Sequence, residues 1–366
     1  MKSKLLPLLL PGILCFGACR ETENPTDKLS AFYKPVDYPV LRRDSAAVFF
    51  DSLKNETVHW KRADVFNPAA VVRDGKIYVL SRCEDNPAAA LGGRTSRIGV
   101  SVTEDGIHFK SFETPVLYPA KDSFQIYDYP GGCEDPRVVQ TEDGLYIMAY
   151  TSWNYKLPRL SIAFSNDLFH WTKKGPAFAK AYNGKFLDTA TKSASMITRM
   201  KGDQPVLAKI DGKYWMYWGE KFVNLAWSEN LYDWYPLLDS GGNPKTIITT
   251  RPGRFDSDLN ECGPPALITD KGIWLMYNGK NAEGATADPS LPRGTYSVGT
   301  VLFDPKDMQT VISRPEMPLL KPDLPHEMSG QYKAGTTFSE GLVYYKGKWF
   351  MYYGTADSYV GVAESR

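Results

Sequence analysis

The sequence predicts an all-β fold, a five-bladed β-propeller, because one phrase returns five times along its 366 residues. Each copy is a polar turn with glycine followed by an aromatic-rich strand, and the turn glycines are Gly75, Gly144, Gly212, Gly272 and Gly347. Their period of roughly 60 to 75 residues suits a blade of four strands with a loop. A propeller directs polar residues of its inner strands toward one axial pocket, so we expect the functional residues there.

The turn and the strand follow in the same order in each blade. The copies occupy residues 74–80, 143–148, 211–217, 271–277 and 346–353. An Asp-Gly or Lys-Gly pair suits the turn, and the Ile, Tyr, Trp and Phe residues after it favour strands. We expect the ring to close by pairing a strand near residues 58–72 with residues 359–363, because closure removes an exposed sheet edge.

The N-terminus has the pattern of a bacterial export signal. Two lysines precede a short apolar run that ends in Gly-Ala before Cys19. A charged start, an apolar core and small residues before a cleavage point are typical of such signals. The cysteine resembles that of a lipoprotein box, although a plain signal peptide with an incidental cysteine is an alternative. We therefore predict a lipoprotein signal at residues 1–19, a tether at residues 20–45 and a catalytic propeller at residues 46–366.

The lipidated Cys19 would place the protein in the bacterial cell envelope, in the periplasm or on the outer-membrane surface. The 43 basic and 42 acidic residues nearly balance, which argues against binding to nucleic acid, and the membrane is reached only through the anchor. Cys83, Cys133 and Cys262 remain after the signal and have no CxxC spacing, so we expect neither a metal nor a cofactor. The oligomeric state stays open.

Charged residues interrupt the apolar strands at a similar point in four blades. They lie at residues 81–85, at residues 134–137, around Glu220 and around Glu261. A charged side chain inside an apolar strand is costly unless it has partners or lines a polar pocket. Salt bridges between blades and a functional pocket are both open as interpretations. Several such residues at one level of a ring favour the pocket.

Four segments together resemble a known family. Residues 131–137 read Gly-Gly-Cys-Glu-Asp-Pro-Arg, and residues 66–70 read Phe-Asn-Pro-Ala-Ala. Residues 96–99 read Ser-Arg-Ile-Gly, and residues 353–357 read Tyr-Gly-Thr-Ala-Asp. With these motifs the chain, from about residue 60 to its end, resembles glycoside hydrolase family 130. The resemblance implies a five-bladed propeller that acts on β-mannosides.

The resemblance also implies roles for individual residues. Asp135 matches the general acid, whose proton would reach the glycosidic oxygen through a mannose hydroxyl. Arg and carboxylate groups make directional, charge-assisted hydrogen bonds to such hydroxyls. The residues that match mannose-binding positions of the innermost subsite are Asn67, Arg82, Asp85, Arg97, Arg137 and Asp357.

The chain departs from the family's phosphorylases at the positions where those enzymes hold phosphate. The phosphorylases usually carry a His-Arg pair, a Lys and a His where this chain has Glu220, Glu261 and Asn278. Carboxylates would repel a phosphate ion instead of binding it. Both glutamates resemble the paired glutamates of the family's hydrolytic β-1,2-mannosidases, and we count Asn278 with the substrate-binding residues.

We therefore predict an inverting exo-β-mannosidase, with the β-1,2 linkage implied by the resemblance alone. Asp135 would act as the acid, while Glu220 and Glu261 would position and deprotonate water on the opposite face of the sugar. Which glutamate is the base stays open. If the two share one site, the pKa of one should rise.

Two other functions are alternatives. A phosphorylase that releases mannose 1-phosphate would need a relocated phosphate site, for which Arg199 and Lys209 are candidates. A non-catalytic surface protein would bind glycans without turnover. Binding alone, however, does not need an acid and a base on opposed faces of the sugar.

Overall fold

The computed structural model describes residues 24–90 and 92–366. Strands make up 46% of the chain and helices 4%, so the all-β prediction is confirmed. The predicted signal and Cys19 lie outside the described residues. No helix within the described part is long and apolar enough to cross a membrane.

The first described residues pack against the rest of the chain. They form a 3-10 helix (Pro25–Ser30), the short strand β1 (Phe32–Tyr33) and a hairpin of β2 (Phe49–Asp51) and β3 (Glu56–Val58). In β1, Phe32 lies opposite Ser365 of the C-terminal strand. Part of the segment predicted as a tether is therefore a strand of a sheet.

Five groups of mainly antiparallel strands follow in chain order. The first is β4 (Asp64–Arg73), β5 (Lys76–Glu84), β6 (Ser96–Thr103) and β7 (Lys110–Ser111). The second, after helix α1 (Gln125–Asp128), is β8 (Gly132–Gln140), β9 (Tyr146–Trp153), β10 (Arg159–Ser165) and β11 (Thr172–Pro176). The third is β12 (Ala194–Lys201), β13 (Gln204–Leu207), β14 (Lys209–Ile210), β15 (Lys213–Trp218), β16 (Val223–Ser228), β17 (Tyr235–Pro236) and β18 (Thr246–Ile248).

The last two groups complete the chain. The fourth is β19 (Leu259–Cys262), β20 (Ala266–Thr269), β21 (Gly272–Lys280), β22 (Tyr296–Phe303) and β23 (Val311–Ser313). The fifth, after a 3-10 helix (Pro325–Met328), is β24 (Phe338–Tyr345), β25 (Lys348–Thr355) and β26 (Tyr359–Ser365).

The predicted glycine turns are confirmed in all five groups. Gly75, Gly144, Gly212, Gly272 and Gly347 lie at the turns that lead into β5, β9, β15, β21 and β25. Their φ angles of 70°, 95°, 78°, 143° and 85° lie in a region that glycine adopts far more readily than other residues. The repeated phrase therefore reports a repeated backbone requirement.

Parallel bridges between neighbouring groups join several of them into one hydrogen-bonded array. Ser96 pairs with Gly132, Val206 pairs with Gln140, and residues 197–199 pair with residues 266–268. The four groups from β4 to β23 are linked in this way, while the fifth group forms a four-stranded sheet with β1. Strand pairing therefore supports a propeller-like fold and does not divide it into five separate blades.

The expected closure through residues 58–72 is wrong. The C-terminal strand β26 pairs with β25 on one side and with Phe32–Tyr33 on the other. A further bridge joins Leu41 to Val360, and Arg366 N donates to Ala31 O. The N-terminal segment thus supplies the partner that the unpaired edge of β26 requires.

Five apolar clusters fill the space between successive groups, and one of them lies between the fifth group and the first. Members from the two sides of each cluster are Leu80 and Met148, Ile162 and Met216, Leu225 and Leu275, Met276 and Met351, and Tyr352 and Val79. Burial of these side chains is the main favourable contribution to folding. Because one cluster lies between the fifth group and the first, the five groups follow one another in cyclic order, as in a propeller-like fold.

Candidate active site

Three first strands are irregular at one level, and two of these irregularities direct a polar side chain into a shared pocket. The ladder skips Asn67 in β4, the pair Asp135 and Pro136 in β8, and Glu340 in β24. Asn67 and Asp135 have φ angles of 47° and 50°, which non-glycine residues seldom adopt. Each precedes a proline, which has no N–H to donate to a ladder, so the strand bulges at these points.

The pocket has a volume of about 360 Å³ and lies where these bulges meet. Six of the ten predicted site residues line it: Asn67, Arg82, Asp135, Glu220, Glu261 and Asp357. Aromatic side chains complete part of the wall, among them Trp153, Tyr296 and Tyr332. A pocket with polar groups and aromatic rings is the usual form of a site for a small ligand such as a sugar.

Asp135 lies at the centre of the polar contacts. Its Oδ1 accepts hydrogen bonds from Asn67 Nδ2 at 2.9 Å and from Arg82 Nη1 at 3.2 Å. Gly354 makes this possible, because a Cβ at that position would lie 2.1 Å from Asn67 Oδ1. Burial would raise the pKa of Asp135, but Arg82, Lys192 and Arg137 outweigh it and hold the pKa well below its usual range. This carboxyl is therefore ionised at neutral pH.

A second carboxylate shares the Arg82 guanidinium with Asp135. Glu134 Oε1 lies 2.9 Å from Arg82 Nη2. Burial, offset in part by Arg82 and reinforced by the charge of Asp135, raises the pKa of Glu134 to about 7. Two such close carboxylates titrate as a pair, and the pair takes up its first proton near neutral pH.

Lys192 connects the acid to the two glutamates. Its Nζ lies 3.6 Å from Asp135 Oδ2, 3.3 Å from Glu261 Oε1 and 3.7 Å from Glu220 Oε1. Burial would lower the pKa of this lysine, yet the surrounding carboxylates raise it well above its usual value. Lys192 is therefore a cation that the three carboxylates share.

The two glutamates differ in their surroundings. Glu261 is 2% exposed, in β19, and accepts a short hydrogen bond from Ser193 Oγ. Burial, only partly offset by Lys192, raises the pKa of Glu261, and the charge of Glu220 raises it further. This agrees with the expected rise for one of two glutamates in a shared site. The side chain of Glu220 is 50% exposed and lies in the turn after β15, at the mouth of the pocket.

The structure does not bring the other four predicted residues into the pocket lining. Arg97 is fully buried and forms ion pairs with Asp51 at 2.5 Å and with Asp85 at 3.1 Å. Asp85 is also paired with Lys54 at 3.0 Å. This cluster joins the β2–β3 hairpin to the first group. Arg97 and Asp85 thus form salt bridges within the protein, which is one of the two interpretations that the sequence left open for charged residues in the strands.

Arg137 and Asn278 lie outside the lining, among the strands that carry it. Arg137 donates to the main-chain oxygens of Asp135 and Cys262, at 2.9 and 2.8 Å. The Asn278 side chain donates to Ser339 O at 3.0 Å and accepts from Ser339 N at 2.8 Å. Asn278 thus bonds to the protein backbone, and Arg137 bonds to the backbone and also pairs with the Glu340 carboxylate at 3.0 Å.

Sequence reasoning missed Lys192, Ser193 and Glu340. Lys192 and Ser193 directly precede β12, which is the first strand of the third group. The predicted site residues were identified from the family motifs and from charged residues that interrupt apolar strands, and Lys192 and Ser193 belong to neither set. Aligning the third copy of the repeat by its first strand, instead of its glycine turn, would have identified the lysine.

The lining has a marked excess of negative charge. It contains five carboxylates, from Glu134, Asp135, Glu220, Glu261 and Asp357, and two cations, Arg82 and Lys192. Its formal charge is therefore −3 when all groups are ionised. Such a field opposes the binding of a free anion.

A metal ion has no evident ligand set in this pocket. Within residues 24–90 and 92–366 there is no group of three or more His, Cys, Asp or Glu side chains arranged to hold one. Cys83, Cys133 and Cys262 are buried, free thiols.

A propeller-like all-β fold around a pocket of carboxylates and aromatic side chains is compatible with an enzyme that acts on sugars. The family model described as β-1,4-mannooligosaccharide phosphorylase, of glycoside hydrolase family 130, matches residues 33–366. A 1,2-β-oligomannan phosphorylase of Thermoanaerobacter is 32% identical over 327 residues, which are 88% of this chain and 95% of that protein. The chain therefore belongs to glycoside hydrolase family 130, and it is an enzyme that acts on mannosides.

Solved structures give a nearer similarity. A protein of Bacteroides thetaiotaomicron is 51% identical with a TM-score of 0.91, over 94% of this chain and 99% of the other. Another structure is described with the finding that the family contains glycoside hydrolases that target β-1,2 mannosidic linkages in Candida mannan. It is 48% identical with a TM-score of 0.90, over 92% of this chain and 93% of the other. The resemblance read from the motifs is confirmed.

Proposed function

We propose that the protein is an inverting exo-β-mannosidase that hydrolyses β-1,2-linked mannosides. The observation that carries this proposal is the placement of Glu261, a buried carboxylate with a raised pKa, across Lys192 from Asp135 in a pocket of net negative charge. A hydrolase needs a base for water there, whereas a phosphorylase needs a site for a phosphate ion. The linkage is supported by the family relatives that act on β-1,2 bonds.

The roles of the two sides of the pocket follow from inverting chemistry. Asp135 is the acid, and the proton moves to the glycosidic oxygen through a sugar hydroxyl. Inverting enzymes hold their two carboxyl groups ~6.5–9.5 Å apart, which admits a water molecule on the face of the sugar opposite the acid. Asp135 Oδ2 and Glu261 Oε1 both contact Lys192 Nζ, at 3.6 and 3.3 Å, so the acid and the base face the same small part of the pocket.

Glu261 is the base in this mechanism. Its raised pKa makes it a stronger proton acceptor than an ordinary glutamate, and Ser193 fixes its orientation. Glu220 lies at the more exposed mouth of the pocket and orients the same water through its carboxylate. Lys192 Nζ lies between the two glutamates, 3.3 Å from Glu261 Oε1 and 3.7 Å from Glu220 Oε1.

The acid obtains its proton from the Glu134–Asp135 pair. In the free enzyme Asp135 is ionised and the pair takes up one proton with a pKa of about 7, assigned to Glu134. A substrate hydroxyl that displaces Lys192 from Asp135 removes a neighbouring cation and shifts that proton toward Asp135. Activity should therefore fall as the pH rises through about 7, because the pair then loses its proton.

Phosphorolysis is the alternative, and it has support from the curated relatives that carry phosphorylase names. The candidates for a relocated phosphate site, however, lie outside the pocket lining. The Arg199 side chain is 56% exposed and paired with Glu142, and Lys209 lies over the Tyr214 ring at 4.9 Å. A phosphate ion in the pocket would face five carboxylates.

Product analysis on β-1,2-mannobiose, with and without inorganic phosphate, tests the proposal. We expect free mannose at the same rate under both conditions, with the first-formed anomer inverted in configuration. Mannose 1-phosphate that forms only with phosphate would identify a phosphorylase. Binding of the sugar without any product would identify a glycan-binding protein.

Two variants connect the activity to the assigned groups. Asp135→Asn and Glu261→Gln should each remove turnover while the protein still binds mannobiose, measured by calorimetry. Full activity in both variants would show that the reaction uses other groups. Arg199→Ala serves as the matched control, because that side chain lies away from the pocket and should leave the rate unchanged.

We also propose that the five strand groups are the five blades of a propeller. The five apolar clusters between successive groups, with one between the last group and the first, support this arrangement. The five glycine turns that lead into corresponding strands support it as well. A crystal structure would test the proposal by showing whether the groups are related by successive rotations of about one fifth of a turn.

Anchoring in the cell envelope is likewise a proposal, and it rests on the sequence of the first residues. A lipidated Cys19 would hold the enzyme at a membrane surface, where it meets mannosides from outside the cell. Expression of the full chain and of Cys19→Ser with radiolabelled palmitate tests this. Label in the parent chain and none in the variant supports the anchor, while equal absence of label in both indicates a plain signal peptide.

A further inference from the structure

We propose that Arg137 is a positioning residue that ties the strand bearing Asp135 to the strand bearing Glu261. In this way it holds the two reacting carboxylates opposite each other. The inference rests on the proposed roles of Asp135 and Glu261. It differs from the role in sugar binding that the family resemblance implies for this arginine.

Three hydrogen bonds of Arg137 reach main-chain oxygens. Its Nη1 donates to Asp135 O at 2.9 Å and its Nη2 to Cys262 O at 2.8 Å, while Nε donates to Gly263 O at 3.4 Å. The side chain is 2% exposed and is not part of the pocket lining. The rigid guanidinium fork thus spans two strands, which a flexible ammonium group cannot do in the same way.

The two strands need such a link because their ladders are interrupted at this level. The ladder of β8 is broken at Asp135 and Pro136, and β19 ends at Cys262 before a Gly-Pro-Pro segment. Prolines have no N–H, so carbonyls near them lack the usual partners. Among the described strands, β8 and β19 share no ladder of their own. Arg137 supplies the hydrogen bonds that connect them.

A third strand, β24, also contacts Arg137. Glu340, in the bulge of β24, is fully buried, and its Oε1 lies 3.0 Å from Arg137 Nη2. The Asn278 side chain fixes this bulge through its two hydrogen bonds to Ser339. The strands that carry the acid, the base and the bulge of β24 therefore meet at one guanidinium.

The charge of Arg137 acts on the same carboxylates. Asp135 from its own strand, Glu340 from β24 and Glu261 from β19, whose Oε1 lies 4.0 Å from Nη2, face the guanidinium. Lys192 faces Asp135 and Glu261 from the pocket side. Loss of the Arg137 charge should raise the pKa of both reacting carboxylates, since each then has one cation fewer nearby.

Arg137→Met and Arg137→Lys test the proposal through steady-state kinetics across pH. For Arg137→Met we expect a kcat about 100-fold lower, because a misplacement of about 1 Å in a reacting group can cost that factor. KM should stay within about threefold, since the side chain does not line the pocket. Both limbs of the kcat/KM profile should move to higher pH. Arg137→Lys should return the limbs to their parent positions without restoring kcat fully.

Arg251→Met is the matched control. Arg251 also donates to main-chain oxygens, of Arg314 at 3.2 Å and Pro315 at 2.9 Å, and it pairs with the buried Asp256. It lies outside the pocket lining, so its variant should keep kcat, KM and the pH profile of the parent. Both Arg137→Met and Arg251→Met can lower the stability of the protein. The pH profile of kcat/KM is the measurement that distinguishes them.

Three results would overturn the proposal. A raised KM with an unchanged kcat would make Arg137 a sugar contact. Lower stability with an unchanged kcat and pH profile would make it merely structural, as would a control variant that loses as much activity. If Arg137→Met does not fold, Arg137→Met combined with Glu340→Leu avoids an unpaired buried charge, and the comparison of kcat with KM is then the readout. If the parent enzyme forms mannose 1-phosphate instead of mannose, the proposed hydrolysis is wrong. The kinetics of the Arg137 and Arg251 variants can then be compared with the parent by measuring mannose 1-phosphate, so the role of Arg137 is still tested.

Discussion

Lys192 should set the pH range of the enzyme, and Lys192→Met is the perturbation that shows it. The methionine keeps the length of the side chain and removes a positive charge that lies 3.6 Å from Asp135 and 3.3 Å from Glu261. The pKa of each carboxyl should therefore rise. Activity is lost at low pH when the base takes up a proton and at high pH when the acid loses one, so both limbs should move to higher pH.

The magnitude follows from the distance between the charges. Two unit charges 3.6 Å apart interact by about 1 kcal/mol in water and by about 4–5 kcal/mol at an effective dielectric constant near 20. One pKa unit corresponds to about 1.4 kcal/mol. The Lys192 side chain is 19% exposed, which places the site between these limits. The expected displacement of each limb is therefore about 1–3 pH units.

The assay is the pH dependence of kcat/KM for β-1,2-mannobiose, because that ratio reports the groups of the free enzyme. Lys173→Met is the control, since Lys173 is equally enclosed by carboxylates, Asp122 and Asp128, but lies away from the pocket. We expect no displacement in the control. Limbs that stay in place in Lys192→Met, or that move to lower pH, would refute the assignment of Lys192 as the shared cation of this site.

Three further predictions concern the base, the packing and the stability. Glu261→Gln should lower kcat by about 100-fold or more with a similar KM, because the base is lost and the buried shape is kept. Gly354→Ala should place a Cβ 2.1 Å from Asn67 Oδ1, which lowers the free energy of unfolding by about 1–3 kcal/mol and the activity with it. Asp357→Asn should stabilise the protein at pH 8 by up to about 3 kcal/mol, because burial raises the pKa of Asp357 from 3.8 to about 6 and its ionised form is disfavoured in the fold.

Denaturant unfolding and initial rates check these three variants. Gly284→Ala controls for Gly354→Ala, since a Cβ at Gly284 meets nothing within 4 Å. The contribution of Asp357 to stability is present at low pH and is lost as the pH rises through about 6, so Asp357→Asn should gain little at pH 4. An equal gain at both pH values would contradict the raised pKa. Turnover by Glu261→Gln at the parent rate would exclude Glu261 as the base.

The sequence predicted those site residues whose side chains are placed by local backbone features. Asn67 and Asp135 each precede a proline, and the resulting bulges turn both side chains into the pocket. The change of sign at Glu220 and Glu261, compared with the phosphorylases, was also readable from the chain. The position of Glu261 across Lys192 from Asp135, which carries the proposal of hydrolysis, came from the structure.

Residues whose role depends on distant partners were not predictable in this way. Arg97 matched a mannose-binding position, but Asp51, in a hairpin 46 residues earlier, draws it into a buried ion pair. Arg137 matched another and is bonded to Cys262, 125 residues later. A charged residue within a motif does not reveal whether its partner is a sugar or the protein, because the partner arrives only when the chain folds.

The sequence by itself determined the all-β class, the five glycine turns and the family, since turn conformation and strand preference depend on residues close together along the chain. Tertiary structure decided which charges face the pocket and which lie behind it. It also decided that the N-terminal strand Phe32–Tyr33 pairs with the edge of β26, where another partner was expected. The physical reason is that burial, charge pairing and edge pairing are set by segments far apart in sequence, whose mutual distances exist only in the folded protein.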